Sequence, residues 1–186
     1  MSGSAASLPQ LLMRLNGLAC LPAEPELNGV VLRRARSGDE VGLAELLGSC
    51  FDHEWTPDGV RHALTENAQV DRVYVAATLG DNAGGERLIA TASARLDERA
   101  FPGTGYVHWV AVSPDWRGRG LGRAVCIRVL ERFRELGLGA AVLETDDHRH
   151  AAIRMYLRMG FQPVYRHDAD EGRWTRVLDA LKTGKE

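Results

Sequence analysis

The chain has 186 residues, the size of one ordinary domain, and at 45% hydrophobic it can bury a core. A net charge of −2 leaves no basic surplus for a nucleic-acid backbone, and no run of about 18 apolar residues exists to cross a membrane. The start lacks the basic region of a secretory signal, and Cys20, Cys50 and Cys126 are sparse and without metal-type spacing, so a cytoplasmic protein with no bound metal is expected.

In chain order, Leu8, Leu11, Leu12, Leu15 and Leu18 recur at helical spacing and predict a short amphipathic helix. Leu21 to Asn28, with Pro22 and Pro25, reads as a linker, so residues 1–29 precede a domain spanning 30–186. Val30 to Arg36 predicts a strand. Asp39 is placed to cap a helix carrying Val41, Leu43, Leu46 and Leu47. Phe51 to Thr56 is a loop, and Pro57 to Glu66 suits a second helix with proline in its first turn. Arg72 to Leu79 is a strand, Gly80 to Gly85 a turn, and Arg87 to Leu96 an alternating strand.

Gly105 to Ser113 is the next strand, and Leu121 to Leu136 a long helix with Leu121, Val125, Val129, Phe133 and Leu136 on one face. Ala140 to Glu144 is a strand, and Arg149 to Met159 a helix stopped by Gly160. Phe161 to Arg166 is a sixth strand. Arg173 to Leu178 is either a seventh strand or a short helix. The order is mixed α/β.

The strongest local signal is the run Ser113-Pro-Asp-Trp-Arg-Gly-Arg-Gly-Leu-Gly122, between an apolar strand and an amphipathic helix. Its glycines let a ligand approach the backbone. The unpaired N–H groups of the helix start favour an anion, and Arg117, Arg119 and Arg123 add bidentate donors. The chemistry suits a diphosphate. A P-loop needs Gly-Lys-Ser/Thr, which is missing, and a dinucleotide fingerprint fails because Arg123 stands at its third glycine position. Arg-x-x-Gly-x-Gly, met by Arg117, Gly120 and Gly122, is the pattern that fits. The plain alternative is a glycine-rich turn with surface arginines.

Two blocks, Val110 to Gly122 and Ala151-Ala-Ile-Arg-Met-Tyr-Leu-Arg-Met-Gly-Phe161, together resemble the GCN5-related N-acetyltransferase (GNAT) superfamily over roughly Val31 to Arg166. The resemblance implies a mixed, mostly antiparallel sheet of six to seven strands flanked by helices, with the fourth and fifth strands splayed apart. It implies acetyl-coenzyme A as donor and an amine as acceptor. Val110, Ala111 and Val112 would meet the pantetheine arm, and Arg117, Gly118, Arg119, Gly120, Leu121, Gly122 and Arg123 would hold the pyrophosphate. Relatives carry asparagine where this chain has Arg149, and some carry a glutamate base where it has Tyr106.

Amine attack on a thioester needs a proton acceptor, an oxyanion donor and an acid for the leaving thiolate. Tyr156 in the second block is the candidate acid, set against a packing role beside Ile153 and Leu157. His108 is the candidate base, as in arylalkylamine acetyltransferases of that superfamily. Regular alternation would put it on one face with Tyr106, Val110 and Val112, and an ordinary histidine pKa of about 6.5 suits proton traffic. Glu54 is the reserve base, and the acids and aromatics of Phe51 to Thr56 would suit a cationic amine. Asp146 and Asp147 read as helix caps. The leading function is N-acetyl transfer to a primary amine. A non-catalytic acyl-coenzyme A sensor is the alternative, and a homodimer stays open.

Overall fold

The computed structural model describes residues 9–78 and 86–184, so Leu8, Leu79 and the turn expected at Gly80 to Gly85 lie outside the described residues. Seven strands form one sheet in the order β2-β3-β4-β5-β6-β1-β7. They are β1 (Leu11–Asn16), β2 (Val30–Arg34), β3 (Val70–Thr78), β4 (Leu88–Leu96), β5 (Gly105–Val112), β6 (Ala140–Thr145) and β7 (Gln162–Val164). The pairs β1–β7, β2–β3, β3–β4 and β4–β5 are antiparallel, and β5–β6 is parallel. Among the described residues five α-helices accompany them: α1 (Glu40–Gly48), α2 (Pro57–Val60), α3 (Leu121–Glu135), α4 (His150–Arg158) and α5 (Asp168–Thr183). The chain forms two compact units, residues 15–78 with 86–142, and residues 9–14 with 143–184.

In the larger unit, α3 packs on β3, β4 and β5. Its face carries Leu121, Val125, Val129 and Phe133, all at most 2% exposed. Gly105 is required beneath it, because a Cβ there would lie 2.3 Å from the Phe133 ring. A second apolar core joins α1 and α2 to the sheet through Leu43, Leu47, Val60, Val73, Val75 and Ala111. Thr56 caps α2 by accepting from the Gly59 N–H at 3.1 Å, with Pro57 in the first turn. The second predicted helix then continues as a π-helical turn, Arg61–Thr65. Asp39 precedes α1 but makes no side-chain cap; its carboxylate takes Arg33 at 2.6 Å and the Arg36 N–H at 2.8 Å instead.

The expected N-terminal helix is a strand, β1, whose residues 11–14 belong to the smaller unit. Leu11 and Met13 are fully buried, and Leu12 and Leu15 are 5% and 8% exposed. A strand covered on both faces loses its polar alternation, so a dense leucine run imitates helical spacing. β1 pairs with β7 through Leu12–Val164, Met13–Pro163 and Arg14–Gln162. Of the two readings held for Arg173 to Leu178, the helix is correct: these residues lie inside α5. The seventh strand of the sheet comes from the N-terminal segment. Asp146 and Asp147 do not cap α4. Asp146 accepts from Gln10 at 2.9 Å and Arg149 at 2.8 Å, and Asp147 pairs with Arg173 on α5.

Candidate functional site

The glycine-arginine turn folds as the sequence requires. Pro114–Trp116 makes one 3-10 turn, Arg117 is extended, and Gly118 and Gly120 have φ of +76° and +81°. Those angles strain any residue with a Cβ. Gly120 is the N-cap of α3 and has no side chain to satisfy the helix's first N–H groups. Leu121, 2% exposed, anchors the helix start, while Arg117, Gly118, Arg119 and Gly120 are exposed. The Arg119 guanidinium stacks 4.6 Å above the Trp116 ring. Arg119 and Arg123 form no ion pair among the described residues, and so remain available to an anion beside a positive helix end.

An open cleft on the same unit is lined by Arg33, Arg36, Glu86 and Ser113. It does not compete as an anion site, since Arg33 is held by Asp39 at 2.6 Å and by Glu86 at 2.8 Å, and Arg36 by Glu86 at 2.6 Å.

Strand β5 leads into the turn. It pairs in parallel with β6 at Gly105–Ala141 and Tyr106–Val142, and antiparallel with β4 along its other edge. A β-bulge interrupts that ladder. His108 lies opposite Ser93 and Ala111 opposite Thr91, so Trp109 and Val110 share the space facing Ala92. Trp109 has φ +48°, a left-handed conformation rare for an aromatic residue. The expected alternation is therefore corrected. The extra residue moves Ala111 onto the face of Tyr106 and His108, and Val112 to the opposite face, because cross-strand partners share a face.

Around the bulge runs a chain of rings. The centroid separations are 5.2 Å for Tyr106–His108, 5.3 Å for His108–Trp109, 4.8 Å for Trp109–Trp55 and 5.0 Å for Trp109–Phe51. Phe51 and Trp55 come from the loop after α1 and meet Trp109 edge to face. The His108 Nδ1 and the Trp55 Nε1 are buried with no hydrogen-bond partner among the described residues. Burial, aided by the positive Arg95, lowers the His108 pKa to about 4. His108 is thus a neutral imidazole at pH 7, which corrects the expectation of a near-neutral titration.

Glu54 is exposed on the loop, with no hydrogen bond or ion pair to His108 among the described residues. Val112 is tied by its carbonyl, which accepts from the Cys50 thiol at 3.3 Å and from Arg117 Nε at 3.4 Å. Tyr156 lies in the other unit, on α4. It is 6% exposed, with its ring 5.9 Å from that of Phe161. Arg149, at the family's asparagine position, is the N-cap residue of α4 and binds Asp146.

The structure thus brings Val110 to Val112, His108 and the Arg117 to Arg123 turn onto one continuous segment, with Phe51 and Trp55 alongside. Trp109 was missed by sequence reasoning. No glycine marks the bulge, so nothing in the local pattern signals it.

A family model described as the acetyltransferase (GNAT) family matches residues 41–161. A mycothiol acetyltransferase of Nocardia farcinica is 30% identical over 153 residues, covering 77% of this chain and 50% of that protein. One of Frankia alni is 33% identical over 164 residues, covering 82% of this chain and 48% of that protein. The chain spans about half the length of the curated relatives it matches. A crystal structure of a GCN5-related N-acetyltransferase from Sphaerobacter thermophilus superposes with TM-score 0.64 at 21% identity, covering 84% of this chain and 50% of that one.

Proposed function

Because the chain belongs to the GNAT acetyltransferase family, we propose that it moves an acetyl group from acetyl-coenzyme A to a primary amine by direct attack in a ternary complex. The observation that carries this reading is the uncapped start of α3 at Gly120, flanked by Arg119 and Arg123 with no ion pair among the described residues. A diphosphate supplies the anion that this arrangement lacks. Arg117 to Arg123 hold it, and the backbone of Val110 to Val112 offers hydrogen bonds to the pantetheine amides.

The amine nitrogen attacks the thioester carbonyl carbon. A backbone N–H of the bulge near Val110 stabilises the oxyanion, an effect worth roughly a hundredfold or more in rate. The carbon–sulfur bond then breaks, and the Tyr156 hydroxyl donates its proton to the thiolate. A tyrosine is protonated at neutral pH and matches a thiol whose pKa is about 8.5. His108, neutral and half-buried, accepts a hydrogen bond from the attacking amine. It takes the proton only as the N–C bond forms, when the nitrogen becomes much more acidic. A free ammonium would hold its proton against a base of pKa about 4, so the acceptor enters as the neutral amine. Glu54 and water are the reserve path for that proton. Cys20, Cys50 and Cys126 are free thiols, which supports a reducing, cytoplasmic setting.

The test is a thiol-release assay over a panel of amines that includes the acceptor of the mycothiol acetyltransferases, beside calorimetry with coenzyme A. Acetyl transfer to at least one amine is expected. In Arg119→Ala/Arg123→Ala the coenzyme A Kd should rise about tenfold or more, since each charged hydrogen bond is worth about 1.5 to 3 kcal/mol. Coenzyme A binding without transfer to any amine would make the protein a sensor.

A further inference from the structure

The segment between β1 and β2 runs past the phosphate turn. Its residues Leu21, Pro22, Glu24, Pro25 and Leu27 are half-buried, while Ala23 and Glu26 are exposed, so one side of this stretch is seated on the protein. Two contacts fix where it lies. The Glu24 carboxylate meets the Arg128 guanidinium, with N···O distances of 2.6 and 3.2 Å, two turns into α3. Pro25 lies against Gly120: a Cβ built on that glycine would be 3.6 Å from Cβ and Cγ of the proline.

The φ of +81° is what calls for glycine at 120, and the second contact sets a neighbour at ordinary van der Waals distance from its Cβ direction. The side-chain direction there faces Pro25, not open space, in contrast to Gly118, whose missing side chain meets nothing within 4 Å. The N-cap of α3 is therefore clasped from behind by the proline, which leaves the N–H groups of the helix start to face an anion. A turn with two glycines at positive φ has many conformers available when nothing holds it. A site competent only part of the time binds with an affinity reduced by that fraction.

We propose that residues 21–27 are a positioning strap for the coenzyme's diphosphate: the Glu24–Arg128 pair latches Pro25 against Gly120 and holds the Gly118 to Gly122 turn in its anion-receiving conformation. This rests on the coenzyme A reading above and adds residues that touch no ligand. The sign of the effect distinguishes it from plain electrostatics. Removing a carboxylate near an anion site strengthens anion binding if charge alone acts. Loss of a latch weakens it.

The experiment measures the Kd of coenzyme A and of acetyl-pantetheine, which lacks the diphosphate, by calorimetry on wild type, Glu24→Gln and Pro25→Gly. A charge-swapped Glu24→Arg/Arg128→Glu variant is included, and circular dichroism checks that each is folded. The strap predicts that the coenzyme A Kd rises about two- to fivefold in each single variant, the range set by a partly exposed ion pair and a loosened backbone. The ratio of the two ligands' affinities should shrink, and the charge swap should restore it. Unchanged or tighter coenzyme A binding in both single variants overturns the strap and leaves the coenzyme site standing. If wild type prefers coenzyme A over acetyl-pantetheine by no measurable factor, the turn does not read a diphosphate and both proposals fall.

Discussion

His108 and Trp109 are neighbours in sequence within a strand, yet their ring centroids are only 5.3 Å apart. Consecutive side chains of a regular strand point to opposite faces. The exception is made by the bulge facing Ala92 and by the φ of +48° at Trp109. Energy to hold that conformation comes from the ring's contacts with Phe51 and Trp55.

Trp109→Ala should therefore do more than open a hole. It removes the contacts that keep β5 bulged, so urea unfolding should show a loss of about 3 kcal/mol, the lower part of the range for aromatic truncations because Trp109 is only partly buried. Acetyl transfer should fall further than coenzyme A affinity, since the bulge and not the glycine turn is disturbed. Equal stability of mutant and wild type would mean that the rings merely fill space.

His108 makes a stability prediction with a definite sign. Its pKa is lowered to about 4 in the fold, against an ordinary value of about 6.5 in the unfolded chain. Between these values the unfolded chain binds more protons, so stability rises with pH. The contribution is fully present above pH 6.5 and is lost as pH falls towards 4. His108→Gln should flatten this part of the stability profile, by up to roughly 3 kcal/mol. In kinetics the same variant should lower turnover but keep any ionisation seen near neutral pH, which then belongs to the acceptor amine. A neutral-pH ionisation that vanished with the imidazole would show that His108 titrates there after all.

Tyr156→Phe removes one hydroxyl and leaves a ring to pack against Phe161. If the hydroxyl protonates the leaving thiolate, turnover should drop by roughly a hundredfold to ten-thousandfold, with little change in coenzyme A affinity. A drop of less than about threefold, or about 0.65 kcal/mol of barrier, would make Tyr156 a packing residue. Thermal unfolding of the same variant separates lost chemistry from lost fold.

Arg173 is the centre of the smaller unit. Its side chain is 5% exposed and pairs with Asp147 and with Asp170, itself 2% exposed, while also donating to the Pro9 carbonyl at 2.8 Å. It therefore joins α5 to the chain just before β1. Arg173→Ala leaves a buried carboxylate without its cation and should cost about 3 to 5 kcal/mol in chemical unfolding. Hydrogen exchange at Leu11–Asn16 should accelerate in the same variant. Exchange as slow as in wild type would mean that pairing within the sheet retains the strand without Arg173.

Much of the fold was legible because its signals are local. The apolar stripe of Leu121 to Phe133, the proline start of α2 and the stop at Gly160 each follow from a few neighbouring residues and short-range sterics. So does the Arg117 to Gly122 turn, since a positive φ needs glycine wherever the chain later goes. Other features depend on partners far away in sequence. The leucines of β1 have one composition whether they form a helix or a strand, and only insertion into the sheet beside β7 decides for the strand, by burying both faces. His108 carries an ordinary imidazole in the sequence, and only burial beside Arg95 lowers its pKa. The bulge at Trp109 is held by rings from the loop after α1, and Gly120 is clasped by a proline almost a hundred residues earlier. Residue types set the local chemistry; the desolvation and the register on which that chemistry acts arise only when distant segments pack.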